Sequence, residues 1–188
     1  DAIVWLKPAT KGSGRKTQYS TIMVEKDGVL VSLDTTLPNK FLRNELDNIP
    51  IFNGWSQLKS EYKIGNHRID FLLKDNNGNR VYTEVKSVTY VENGIAQFPD
   101  AVTARGKQHV ELLASLCKKG EKAMIVFICQ RPDATIFQPM WDRDPVFSKA
   151  MVAAKQADVN IKCFTTNVSL KEITYCREIP VNLTPPNE

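Results

Sequence analysis

The chain has 188 residues, 25 Lys+Arg against 21 Asp+Glu for a net charge of +4, and 42% hydrophobic against 24% charged residues. That balance builds a buried core and excludes disorder, collagen and fibrous coils, and its mild positive excess accommodates a phosphate-bearing partner without demanding one. The longest apolar run, Ala123 to Cys129, is too short to cross a bilayer, and no basic segment followed by an apolar run opens the chain, so a soluble, cytoplasmic protein is expected.

Taken in chain order, Ile3 to Leu6, Tyr19 to Glu25 and Val29 to Leu33 are short apolar runs separated by a Gly/Ser-rich loop and a Lys26-Asp27-Gly28 turn. They predict a small antiparallel β module. Three strands are fewer than a closed barrel needs, and the chain opens at Asp1 without Met, so a further N-terminal piece is expected. A short helix over Lys40 to Leu46 follows, with Asn39 as its N-cap. Beyond Pro50 and Gly54, strands are predicted at 58–64, 67–74 and 80–88, a helix over about 101–116, a strand at 123–129, a helix over about 144–157 and a strand at 159–165. Strand, helix, strand, helix, strand is the α/β pattern, with Met124 to Ile128 as a central parallel strand covered on both faces. The tail bearing Pro180, Pro185 and Pro186 is expected to lie loose. Cys117, Cys129, Cys163 and Cys176 include no close pair that could form half of a zinc site. As free thiols they suit a reducing compartment.

The most informative stretch runs from His67 to Lys86 and predicts a hairpin. With a two-residue Asn77-Gly78 turn, Phe71 would oppose Glu84 and Ile69 would oppose Lys86, mixing core with charge. A three-residue loop, Asn76-Asn77-Gly78 with Gly78 left-handed, instead sets Ile69, Phe71 and Leu73 against Val85, Thr83 and Val81 on one apolar side. On the other side Asp70 then faces Glu84, with Lys86 two residues along. Two carboxylates at cross-strand distance repel unless a cation, a shared proton or a basic group intervenes. Asp70 and Glu84 are therefore candidate hard-oxygen ligands for Mg²⁺ (or Mn²⁺), with Lys86 orienting a water or stabilising charge on a phosphoryl group. Glu61, on the preceding strand, is a candidate further acid. A solvated strand face bearing ordinary ion pairs is the competing explanation.

The order Glu61, Asp70, Glu84-x-Lys86 on a hairpin followed by a helix resembles the PD-(D/E)xK restriction-endonuclease-like core, with Ile69 standing where the motif's name has Pro. Leu58-Lys59-Ser60-Glu61, Arg68-Ile69-Asp70-Phe71-Leu72-Leu73, Glu84-Val85-Lys86-Ser87-Val88-Thr89 and Phe98-Pro99-Asp100-Ala101-Val102-Thr103-x-Arg105-Gly106-x-x-His109 together resemble the sugar fermentation stimulation protein A family over about residues 1–183. The resemblance implies an OB-like β module over 1–38 ahead of a nuclease-like α/β domain over 39–188, a mixed sheet with flanking helices. It also implies DNA as partner and a role in regulating sugar, especially maltose, metabolism. Two functions follow as expectations: a Mg²⁺-dependent deoxyribonuclease, or a non-catalytic DNA-binding regulator that keeps the nuclease-like fold.

Arg105 and His109 share a helix face, where they could meet a phosphate oxygen and line the mouth of the metal site; equally, Arg105 could pair with Asp100, which could itself be a cap, and His109 could be an ordinary hydrogen-bonded helix residue. His67, three positions from Asp70, is assigned to the opposite face and left out of the site. Lys7, Lys11, Arg15 and Lys16, interspersed with Trp5 and Tyr19, form either a strand-tracking DNA surface or a solvated loop.

Overall fold

The computed structural model describes residues 2–9, 16–26 and 28–186. Strands β1 (Ile3–Pro8), β2 (Tyr19–Lys26) and β3 (Val29–Ser32) form an antiparallel sheet in that order. Helix α1 (Leu37–Glu45) and two 3₁₀ turns, Leu46–Asn48 and Pro50–Phe52, lead to β4 (Trp55–Ile64), β5 (His67–Asp75) and β6 (Arg80–Val88). A short hairpin, β7 (Tyr90–Glu92) and β8 (Ile95–Phe98), precedes helix α2 (Ala104–Lys118). Then come β9 (Lys122–Cys129), β10 (Ile136–Pro139), helix α3 (Pro145–Gln156), β11 (Asn160–Val168) and β12 (Ile173–Ile179).

The main sheet has six strands in the order β12-β11-β9-β6-β5-β4. β6, β9 and β11 run parallel, while β4, β5 and β12 pair antiparallel at its two ends. A crossover through α2 is what lets β9 lie parallel to β6, as parallel neighbours require. β10, β8 and β7 form a separate three-stranded sheet. This is the mixed α/β sheet with flanking helices, preceded by a small β module, that the sequence led us to expect.

Both faces of the main sheet are covered. On one, Leu72, Tyr82, Ile125 and Phe127 pack with Val110 and Leu113 of α2 and Phe147 and Met151 of α3. On the other, Phe71, Leu73, Val81, Val85, Val126 and Ile128 pack with Phe41, Leu42, Ile49 and Phe52 from α1 and the 3₁₀ turns. The run Ile125 to Cys129 is 0% exposed throughout, which explains its unbroken apolar character. Asp144 caps α3 by accepting from Phe147 N at 2.9 Å and also accepts from Thr103 N at 2.9 Å, so one buried carboxylate ties together the starts of both helices.

Several local expectations need correction. α1 begins at Leu37 with Thr36 in the capping position, so Asn39 lies inside the helix and its amide serves elsewhere. The cap of α2 is Thr103, whose Oγ1 accepts from Gly106 N at 3.0 Å, and not Asp100. A Cβ on Gly106 would lie 2.8 Å from that Oγ1, so glycine is what allows the cap to close. β4 starts three residues before its expected limit, at Trp55. The short strands β7, β8 and β10 lacked a readable alternation over so few residues. The proline-bearing tail is not loose as far as Asn182: Phe137 N donates to Pro180 O and Asn182 N to Phe137 O, both at 2.9 Å, docking it on β10. Pro180 follows β12 directly, so the prolines terminate the strand without releasing the chain.

Candidate active site

The hairpin register is the one that keeps apolar residues together. Phe71, Leu72, Leu73 and Lys74 pair with Thr83, Tyr82, Val81 and Arg80, and Asp75 N donates to Asn79 O at 3.0 Å across a three-residue loop. Gly78 has φ +82°, the left-handed conformation that glycine adopts without steric cost. Asp75 stabilises the loop by accepting from Asn77 N at 3.0 Å and Asn79 N at 2.8 Å.

The ladder stops at Phe71 and Thr83, one step short of Asp70. There the Asp70 carboxylate replaces the backbone bond: its Oδ2 accepts from Val85 N at 2.8 Å and its Oδ1 from Asn39 Nδ2 at 2.8 Å. The alternation of β5 also breaks at this residue. Phe71 and Leu73 pack toward α1, whereas Ile69, expected on their side, packs with the α2 and α3 cluster. On β4 the residue level with this break, Glu61, has φ +52°, an uncommon conformation for a non-glycine residue. The twist carries His67 to the α2 side as well, where its ring lies edge-on to that of His109 with centroids 6.4 Å apart. Strict alternation assigns His67 to the far face, and a side-chain interruption of the ladder has no periodic signature that would signal otherwise.

Glu84 is 3% exposed. Its Oε1 accepts from Lys86 Nζ at 2.6 Å and is also paired with Nδ1 of the buried His109. Its Oε2 is buried and has no hydrogen-bond partner among the described residues. Burial pushes the Glu84 carboxyl up, but the hydrogen bonds and charges of His109 and Lys86 outweigh it and hold the group below the usual carboxylate range. Asp70 behaves oppositely. Burial, reinforced by the Glu84 charge, pushes it up to about 6 against the opposing effects of Val85 N–H, Lys86 and Asn39. The two acids, Lys86 and His109 therefore form one electrostatically coupled group. Beside it Lys86, Ser87, Thr89, Tyr90, Gln97 and Asp100 line a cleft of about 360 Å³ that reaches Leu33 and Thr35 at the end of the N-terminal sheet.

The remaining candidates are more exposed. Glu61, level with Asp70 on the neighbouring strand, is exposed and pairs with Arg68 at 3.5 Å. Arg105 is exposed on α2, one turn before His109. Lys7 and Lys16 are exposed on the N-terminal module, Lys7 lining a second, 560 Å³ depression that shares Leu33 and Thr35 with the first. Lys11 and Arg15 lie outside the described residues. Asn39 escapes sequence reasoning because a helix-initiating Asn is ordinarily a cap; only the fold reveals Asp70 as its acceptor.

A mixed α/β sheet that gathers two carboxylates, a lysine and a histidine where two of its strands part defines a protein with an acidic candidate active site. The family model described as the sugar fermentation stimulation protein RE domain matches residues 36–172. A sugar fermentation stimulation protein homolog of Natranaerobius thermophilus is 36% identical over 176 residues, covering 91% of this chain and 73% of the relative. That of Desulforamulus reducens is 39% identical over 183 residues, covering 96% and 75%. The structure of Pyrococcus furiosus SfsA in complex with Ca²⁺ matches with a TM-score of 0.84 at 30% identity, covering 95% of this chain and 77% of that one. The chain belongs to the sugar fermentation stimulation protein family. No described helix is long and apolar enough to cross a membrane.

Proposed function

We propose that this protein binds DNA and hydrolyses its phosphodiester backbone at a divalent-metal site held by Asp70 and Glu84, with Mg²⁺ or Mn²⁺ as the ion. The observation that carries the reading is the buried Oε2 of Glu84, left without a partner while Oε1 takes two. A buried carboxylate oxygen with no donor is costly, and a cation is the species that satisfies it. The Ca²⁺ in complex with the Pyrococcus relative supports the same donor chemistry, since calcium also selects carboxylate oxygens.

When bound, such an ion supplies Lewis-acid polarisation of a phosphoryl oxygen. The chain's own residues do the rest. His109 and Lys86 fix Oε1 of Glu84, which leaves Oε2 as its ligand atom. Lys86 lines the cleft, where its ammonium orients the attacking water and offsets negative charge developing on the phosphoryl group. Arg105, exposed on the same helix as His109, takes a neighbouring phosphate, and Lys7 and Lys16 meet the backbone farther along. Glu61, on the strand beside Asp70 and paired with Arg68, is the auxiliary acid at the rim of the site.

Incubation of single- and double-stranded DNA with Mg²⁺ or Mn²⁺ tests this. Cleavage is expected to fall by at least about 100-fold in both Asp70→Ala and Lys86→Ala, while salt-dependent DNA binding is retained. One observation favours a second reading, a non-catalytic DNA-binding regulator of sugar metabolism: each oxygen of Asp70 already accepts a hydrogen bond from the protein. DNA binding by the wild type with no cleavage under either ion would decide for that reading.

A further inference from the structure

Asn39 and Asp70 are 31 residues apart and belong to different elements, α1 and β5. An Asn in the first turn of a helix usually bonds its own backbone or faces water. Here its Nδ2 donates to Asp70 Oδ1 at 2.8 Å, while Val85 N holds Oδ2 at 2.8 Å. We infer that Asn39 is a positioning residue, which fixes the Asp70 carboxylate in the orientation that receives a divalent cation. The inference rests on the metal-site reading above.

Three features carry it. The terminal torsion of an aspartate is broad, so one donor leaves the carboxylate free to pivot, whereas donors to both oxygens fix its plane. A carboxylate has about four lone-pair positions, so two donors leave one on each oxygen for a metal or its waters. Finally, the amide is neutral. Glu84 is held by the Lys86 ammonium and by His109, whereas Asn39 holds Asp70 through an uncharged amide, which orients the carboxylate without adding positive charge. Outer groups that orient metal ligands typically change metal affinity by about 10- to 100-fold.

Titration of Mn²⁺ alone into the full chain, monitored by calorimetry, separates the possibilities. Asn39→Ala and Asn39→Leu are expected to weaken Mn²⁺ binding about 10-fold, and Asp70→Ala to remove it. Ala and Leu both favour a helix more than Asn does, and Leu matches its size, so α1 is retained; melting in EDTA verifies this. A group that only braced the fold would change the melting temperature and leave the dissociation constant alone. Wild-type Mn²⁺ affinity in either folded Asn39 variant, with Asp70→Ala still abolishing binding, overturns the role of Asn39 and leaves the metal site standing. Undiminished binding in Asp70→Ala instead sinks the metal-site reading itself.

Discussion

The two principal sheets of this molecule solve the problem of burial differently. In the six-stranded sheet the central strand is enclosed from both sides, and Ile125, Phe127 and Ile128 are 0% exposed. In the three-stranded sheet, β1 is an edge strand whose Ile3, Val4 and Leu6 are 60%, 52% and 52% exposed, with Tyr19 on β2 at 55%. Its best-buried residues, Val31 and Ser32, lie on β3, the strand that packs on β11 of the main sheet. The smaller sheet thus buries far less of its apolar side-chain surface than the main sheet does. The acidic site lies on the well-packed sheet, where side chains are held firmly enough to keep two carboxylates together.

The sharpest way to break that contrast is to cut into each sheet. Phe127 stacks on Phe137 with centroids 4.1 Å apart, and Phe127→Ala is expected to cost about 3–5 kcal/mol in urea unfolding. Val4→Ala is expected to change stability by no more than about 0.5 kcal/mol. A destabilisation above about 2 kcal/mol for Val4→Ala would show that the N-terminal sheet has a core of its own. An intermediate effect belongs to Asp144: it supplies a cap to α3 and an acceptor to Thr103 N, so Asp144→Ala should cost about 2–3 kcal/mol, from a missing cap and an unsatisfied amide.

The exposed face of the module invites a test that stability measurements cannot provide. Lys7→Ala with Lys16→Ala should weaken DNA binding most at low salt and reduce the slope of log affinity against log salt by about 1 for each phosphate no longer neutralised. Melting should be unaffected, since both residues are exposed. An unchanged salt slope would assign the module's apolar and basic surface to something other than the DNA backbone.

What could be read from the sequence follows the same division. The hairpin register is legible because one slip would place Glu84 and Lys86 opposite buried apolar residues, a penalty large enough to decide between two turns. The central strand is legible because burial on both faces removes polar residues from it. The break at Asp70 is not, since it arises when a carboxylate takes a backbone donor, and alternation assumes an intact ladder. For that reason alternation puts His67 and Ile69 on the wrong side. Asn39 and the docked tail escape for a related reason: each is fixed by a partner remote in sequence.

The mildest probe of the packed sheet leaves the sequence untouched. All four cysteines are free. Cys129 and Cys163 are buried in the main sheet; burial pushes the Cys129 thiol up to about 12 and raises Cys163 well above the usual thiol range. Both are also shielded from any reagent, so in the native protein neither thiolate forms nor is reached. Cys176 on β12 and Cys117 near the end of α2 are only partly buried. Burial raises Cys117 too, which slows it without closing access. An aromatic disulfide reagent at neutral pH should therefore modify two thiols in the native state and four after unfolding, Cys129 and Cys163 reacting only at the rate of opening. Fast native modification of Cys129 would mean that the β9 region opens readily, and the firmness ascribed to the site-bearing sheet would not hold.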